Sequence, residues 1–431
     1  MNPKIDSHSS PQPLPCPEPH SLAQPQAEAQ LQPQLETRPE SRPEAQTSAS
    51  QQANPENYVR KKTKPGRITG LDAARGVMLI TSVTSASVLA PRPEWLVHAS
   101  WMGLTLYDLI FPLFVTLSGV GMAFAYRNRV SRWVSLRRIT VLLVVGVIYG
   151  AVATGDYTLS TLRLTGTLQL YAGLVALLVL GHLLGRTWPI WAGITLVTAT
   201  VEAVWLHFYA SGCIGGELTP TCNPSRVIDG AILGVHMYAQ GSLGHDPEGV
   251  IAILGAFVTA AAGTTAGHMA LASRGTLAHL GALRLGAWAG VVALYGWGLT
   301  LLVPAFKRLW TPSFGLATAA LGIILFAVCF WIFDAPAGQA WSTKRPRFAE
   351  PLVALGRNSL LVYFGSHLLV DVLDRLGTNG GTEPSLAARL AGAVSLGLPA
   401  GWDAWGFVLL NLAFWWILSI ILRHFKIYIH A

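Results

Sequence analysis

Between positions 98 and 108 the chain runs HASWMGLTLYD, which sets a histidine, a tryptophan and an aspartate close together. A histidine with its ordinary pKa of about 6.5 takes a proton readily at neutral pH. It can serve as general base to an attacking amine or hydroxyl, or attack an activated acyl group itself and carry it briefly. Asp108 is the candidate to hold one imidazole nitrogen so that the other is free, although ten residues of separation leave their distance open. Thr105 and Asp108 also fit the Ser/Thr-x-x-acid start of a helix, so capping accounts for the aspartate equally well. Trp101 has two readings, as a flat face for a sugar ring or as an anchor at a membrane surface.

The element that must position these groups is a hydrophobic helix over about 104–126, long enough to cross a bilayer at roughly 20 residues. It is one of ten expected spans: 69–90, 104–126, 136–155, 163–184, 188–210, 249–272, 283–304, 313–334, 351–372 and 403–423. Composition agrees, since 52% of the 431 residues are hydrophobic and 12% charged, half the charge of an ordinary soluble domain. The expected fold class is therefore an all-α polytopic membrane protein. Residues 1–65 hold 12 of the 26 prolines and few bulky apolar side chains, so they read as a disordered cytoplasmic tail, and 66–431 as the transmembrane domain. The net charge of +8 falls in short segments between apolar runs, which points to topology and not to nucleic acid. Eighteen basic residues on one side against seven on the other place both termini in the cytoplasm and His98 outside. The stretch 375–402, broken by Pro384, Gly392, Gly397 and Pro399, reads as an interfacial or re-entrant piece as readily as a span.

Further candidates sort by side. The first span carries Thr81, Ser82, Thr84, Ser85 and Ser87, which either line an inward polar stripe or bond back to their own helix. In the outer loop, Cys213 and Cys222 stand in a setting that allows a disulfide. Asp246 and Glu248 precede an apolar run, where they suit substrate contact or the start of a helix. Arg75, Arg137 and Arg138 lie at the inner face, suited either to an anionic ligand or to topology alone. His367, nine residues after Asn358, is an intramembrane titratable group and so a site candidate. The remaining histidines show no metal-ligand spacing, and no metal is expected.

The His98 stretch resembles the signature of the heparan-alpha-glucosaminide N-acetyltransferase family, in which the motif histidine is the proposed catalytic residue. LDAARG at 71–76, GTLQL at 166–170, IDGAILG with DPEGVIAILGAF at 228–234 and 246–257, KRLWTPSF at 307–314 and NSLLVYFG at 358–365 are similar to the family's other motifs, in the same order. The resemblance implies acetyl transfer from acetyl-CoA, presented from the cytoplasm, to an amino sugar or hydroxyl of an extracytoplasmic glycan or glycolipid. It makes His98 the catalytic residue; the residue readings beside it put Asp108 and Ser85 with His98 in catalysis, Trp101, Asp246, Glu248, Asn358 and His367 at the acceptor, and Arg75, Arg137 and Arg138 at CoA. It also implies a cell-membrane location, with lipids, acetyl-CoA and the sugar acceptor as partners, and is compatible with a homodimer. The chain departs from the family pattern at Ala86, Met102 and Ser366, where the relatives carry two asparagines and a histidine; Ser85 is the candidate to replace the first. The competing reading is a transporter or lipid or glycolipid flippase, since helices with polar seams also suit transport.

Overall fold

A computed structural model of the chain describes residues 68–89, 91–273, 278–334, 349–378, 383–399, 402 and 405–428. The expected tail, its basic cluster and several inner-side arginines and lysines lie outside these residues. Thirteen helices and no strand are formed among the described residues. In order they are α1 (Thr69–Ser87), α2 (Leu106–Ala125), α3 (Arg132–Thr154), α4 (Thr167–Leu184), α5 (Trp188–Ser211), α6 (Pro224–Leu233), α7 (Val250–Ala272), α8 (Ala278–Leu299), α9 (Pro312–Asp334), α10 (Ala349–Arg357), α11 (Ser359–Arg375), α12 (Leu386–Ser395) and α13 (Gly406–His424).

Eight of these, α2, α3, α4, α5, α7, α8, α9 and α13, are long and apolar enough to cross a membrane, and the protein is a multi-pass membrane protein. The other expected spans take different forms. α1 has 19 residues but carries Asp72, Arg75 and its hydroxyls. Ala73, Ala74, Leu79 and Val83 are fully covered, so protein and not lipid surrounds much of it, which is how a polar helix is tolerated at this depth. The span expected over 351–372 is two helices, α10 and α11, meeting at the buried Asn358. Between 375 and 402 the described residues hold the ten-residue α12. At about 15 Å it covers half a hydrocarbon core.

α7 is the hub, and its Ala, Gly and Thr residues let α2 approach closely. A methyl added at Gly263 would stand 2.1 Å from the Thr116 carbonyl, and one at Gly119 would stand 2.0 Å from the Ala260 carbonyl. This crossing fixes α2, and Asp108 with it. At the His98 end, a parallel backbone bridge between Gly103 and Phe306 draws the loop before α2 against the loop before α9. The disulfide Cys213–Cys222 is formed in the long loop before α7.

Candidate active site

The helix start expected at Thr105 is present as a full capping box. Asp108 N donates to Thr105 Oγ1 at 3.3 Å, and Thr105 N donates to Asp108 Oδ2 at 3.2 Å. The same carboxylate also leaves the helix. Oδ2 accepts from Ala99 N at 3.1 Å and from Thr105 Oγ1 at 3.0 Å, while Oδ1 lies 2.7 Å from His98 Nδ1. Capping and histidine-holding are thus two tasks of one side chain. A third group arrives from 209 residues away: Lys307 Nζ is 2.8 Å from Asp108 Oδ1 and 2.6 Å from His98 Nδ1. Lys307 opens the stretch KRLWTPSF, and although no role was read for it in the sequence, its place at the head of that motif is the signal that could have found it.

A carboxylate with this many donors is ionised, and its Oδ1 favours the tautomer in which Nδ1 carries the proton, while the Lys307 ammonium 2.6 Å from Nδ1 favours the opposite one. In the tautomer that donates to Asp108, Nε2 keeps its lone pair. The Asp108 side chain is 0% exposed and that of His98 42% exposed, so the holder is sealed while the base is open to a substrate. Burial pushes His98 below its ordinary pKa; its bond to Asp108 works against this, and the Lys307 charge adds to the lowering. Burial likewise pulls the Lys307 ammonium down, with Asp108 opposing. His98 is therefore neutral and basic through neutral pH. If it acts as the base, activity is lost on acidification only as pH falls through this depressed value, below about 6.5. Lys307→Met removes a like charge, raises the histidine's pKa and is expected to move the acidic limb of the kcat/KM profile to higher pH. A limb that stays fixed or moves lower would contradict this cluster.

The histidine ring rests on Tyr107 with ring centroids 4.4 Å apart. Tyr107 lies in the fields of Arg92 and Asp371. Trp101 donates from Nε1 to the Leu218 carbonyl at 2.9 Å and packs on His245 and Phe306, at 5.2 and 5.6 Å between ring centroids. It therefore ties three loops together around the histidine.

Other sequence candidates gather elsewhere. Ser85 is buried and its hydroxyl donates to the Ser82 carbonyl at 3.0 Å; Thr81 and Ser87 bond back along α1 in the same way. No contact joins Ser85 to His98 among the described residues. Asp246 and Glu248 meet Arg163, at 3.1 and 2.6 Å, and Asp246 also accepts from Thr165 Oγ1 at 2.6 Å and Tyr238 N at 2.8 Å. Neither caps α7: Gly249 holds that place, and Asp229 accepts from Val250 N at 2.7 Å instead. Their bonds brace the outer-loop residues against the loop before α4. His367 donates from Nδ1 to the Tyr363 carbonyl at 2.8 Å and packs tilted against that tyrosine's ring.

Arg75 and Arg138 converge at the opposite end of α2. Arg75 Nη2 donates to the Leu117 carbonyl at 3.3 Å, and Arg138 Nη1 donates to Met122 Sδ at 3.2 Å. Tyr171 lies in the field of both. Arg137 is turned away and exposed. Counted along α2, these contacts lie roughly 14 and 21 Å beyond Asp108. Between the two ends Tyr107, Tyr149 and Tyr171 lie within electrostatic range of Tyr363, so four helices bring tyrosines to one polar aromatic seam inside the bundle. Among the described residues, no three His, Cys, Asp or Glu side chains cluster as metal ligands.

The fold and site together define a multi-pass helical membrane protein with a carboxylate-held histidine at one end of a polar seam. Comparison with known proteins narrows this. The chain is 25% identical over 371 residues to heparan-alpha-glucosaminide N-acetyltransferase of Homo sapiens, covering 71% of this chain and 53% of that protein. It is 24% identical over 375 residues to the Mus musculus protein of the same name, covering 72% and 54%. It spans about half the length of these curated relatives, and no protein-family profile matches it. The two matches bear out the resemblance read from the motifs.

Proposed function

We propose that this protein is a transmembrane acetyltransferase that takes acetyl from acetyl-CoA, presented from the cytoplasm, and passes it to an amino sugar or hydroxyl of an extracytoplasmic glycan or glycolipid. The observation that carries the reading is His98, its Nδ1 held by the buried Asp108 and its Nε2 open. Nε2 takes the proton of the acceptor amine or hydroxyl as that atom attacks the thioester carbonyl. The carbon–sulfur bond breaks, and the imidazolium returns the proton to the departing thiolate. Lys307 has three N–H groups and spends one on Asp108, so another is available to the oxyanion that develops at the attacked carbonyl.

The far end of the seam fits the donor's phosphates. Arg138 Nε is buried with no partner among the described residues, Nη1 has only a weak sulfur acceptor, and a guanidinium so poorly matched inside a membrane domain is costly unless an anion joins it. Arg75 and Arg138 both lie within range of Tyr171, and their contacts on α2 stand roughly 14–21 Å from Asp108, a run for the donor's pantetheine arm. Arg138→Met is expected to raise KM for acetyl-CoA roughly tenfold, about 1.4 kcal/mol for a charge-assisted contact, with kcat little changed. An unchanged KM would remove Arg138 from the donor site.

The direct test of the class is purified protein in detergent with acetyl-labelled CoA and a glucosamine-terminated acceptor. Label on the acceptor supports the reading, and acetyl recovered on His98 after rapid quenching would assign the two-step route. Binding of the acceptor without any acetyl transfer would favour transport and overturn the reading.

A further inference from the structure

Glu202 is a buried acid that the acetyl-transfer chemistry leaves unused. Glu202 lies on α5, nine residues before that helix ends at Ser211 among the loops of the His98 end. That is about 14 Å along the helix. The residue is 8% exposed, and Oε1 has no hydrogen-bond partner among the described residues. No lysine, arginine or histidine among them forms an ion pair with it. An ionised carboxylate so placed would be among the costliest groups to keep in a membrane domain, so the neutral acid is the form that belongs there.

What it faces gives the neutral acid a task. A Cβ built on Gly255 of α7 would meet the Trp310 carbonyl oxygen at 1.9 Å and Glu202 Oε1 at 3.0 Å. Both oxygens thus border the space over Gly255, and no hydrogen bond to the Trp310 carbonyl is formed among the described residues. Buried carbonyls want a donor, and a protonated carboxyl bordering the same space can supply one. Trp310 is also in the left-handed region, φ 53 and ψ 44, an uncommon setting for a bulky residue. Its amide donates to the Lys307 carbonyl at 3.0 Å and closes the turn that presents Lys307.

We propose that Glu202 is a positioning residue: in its protonated form it donates to the Trp310 carbonyl and holds the left-handed turn that sets Lys307 against Asp108 and His98. The consequence for rate rests on the acetyl-transfer reading, whereas the proton itself does not.

Infrared difference spectra of wild type minus Glu202→Gln at neutral pH test the proton. The expected band is the carbonyl stretch of a protonated, hydrogen-bonded carboxyl, and a carboxylate band in its place would overturn the proposal. The effect on the site is read from activity. Glu202→Gln keeps a neutral donor and is expected to stay close to wild type. Glu202→Leu removes the donor and is expected to lower kcat about tenfold with KM for acetyl-CoA unchanged. It should also move the acidic limb upward, as Lys307→Met does, because a displaced lysine no longer opposes the imidazolium. Gln as impaired as Leu, or a rate loss in Leu with the limb unmoved, would overturn the positioning role. If wild type transfers no acetyl, the functional reading fails while the infrared result still decides the proton.

Discussion

His98→Ala is expected to slow acetyl transfer by about 10²–10⁴, the usual contribution of a general base, while leaving the protein folded and able to bind acetyl-CoA. The reason is in the division of labour at the site. The imidazole is 42% exposed, so its removal uncovers little apolar surface. Asp108, which it leaves behind, keeps Lys307, Ala99 N, Thr105 N and Thr105 Oγ1 as partners. No buried charge is stranded, and the melting temperature should scarcely move. If the histidine only satisfied the loop, expression and melting temperature would fall with activity in proportion. Transfer at more than about a tenth of the wild-type rate in well-folded His98→Ala protein would contradict the mechanism, because it leaves under ~1.4 kcal/mol for the base to supply.

Asp108→Asn is expected to damage both rate and stability, and the two can be separated. Donors converge on both carboxylate oxygens, so whichever way the amide turns, its NH2 meets N–H groups. Leaving such buried groups unmatched costs about 1–3 kcal/mol of stability. The imidazole also loses its orienting acceptor, so kcat should fall at least about tenfold. Removing the negative charge lowers the pKa of His98 further and should shift the acidic limb to lower pH, opposite to Lys307→Met. Thr105→Val removes the cap, at about 1 kcal/mol, and one donor to Oδ2, but leaves the Oδ1 contact with His98 in place and should leave kcat near wild type. If Asp108→Asn matched Thr105→Val, with lost stability and unchanged kcat, the aspartate would be a helix cap and nothing more.

How much of this was legible in the sequence depends on how far apart the partners lie. The capping box at Thr105 and Asp108 is a local pattern and was readable as such. That the same carboxylate holds His98 was open, because the loop between them has no periodicity to fix its path. Lys307 was not singled out: it joins the site through the pairing of Gly103 with Phe306, a contact between loops that no single-chain pattern announces. The arginine brace on Asp246 and Glu248 was missed for the same reason, and α7 turned out to be capped by Asp229 from another helix. Hydropathy gave the long apolar helices well. It misjudged the stretch 351–372, where Asn358 breaks the run, since a polar residue inside an apolar window barely lowers its mean. Glu202 was readable by a rule that was not applied to it, as a single acid in an apolar span demands a partner or a proton. Of the paired arginines, helical geometry alone sends neighbours about 100° apart, which is why Arg138 turns inward and Arg137 does not.

The central claim is that acetyl crosses from a donor on one side of the membrane to an acceptor on the other through the seam that ends at His98. It is tested most directly with the purified protein in sealed vesicles, acetyl-labelled CoA on one side only and a membrane-impermeant glucosamine-terminated acceptor on the other. The account predicts labelled acetyl on the acceptor, free CoA retained on the donor side, and neither with His98→Ala. Transfer only when donor and acceptor share a side, or passage of acceptor across the membrane without acetylation, would contradict it.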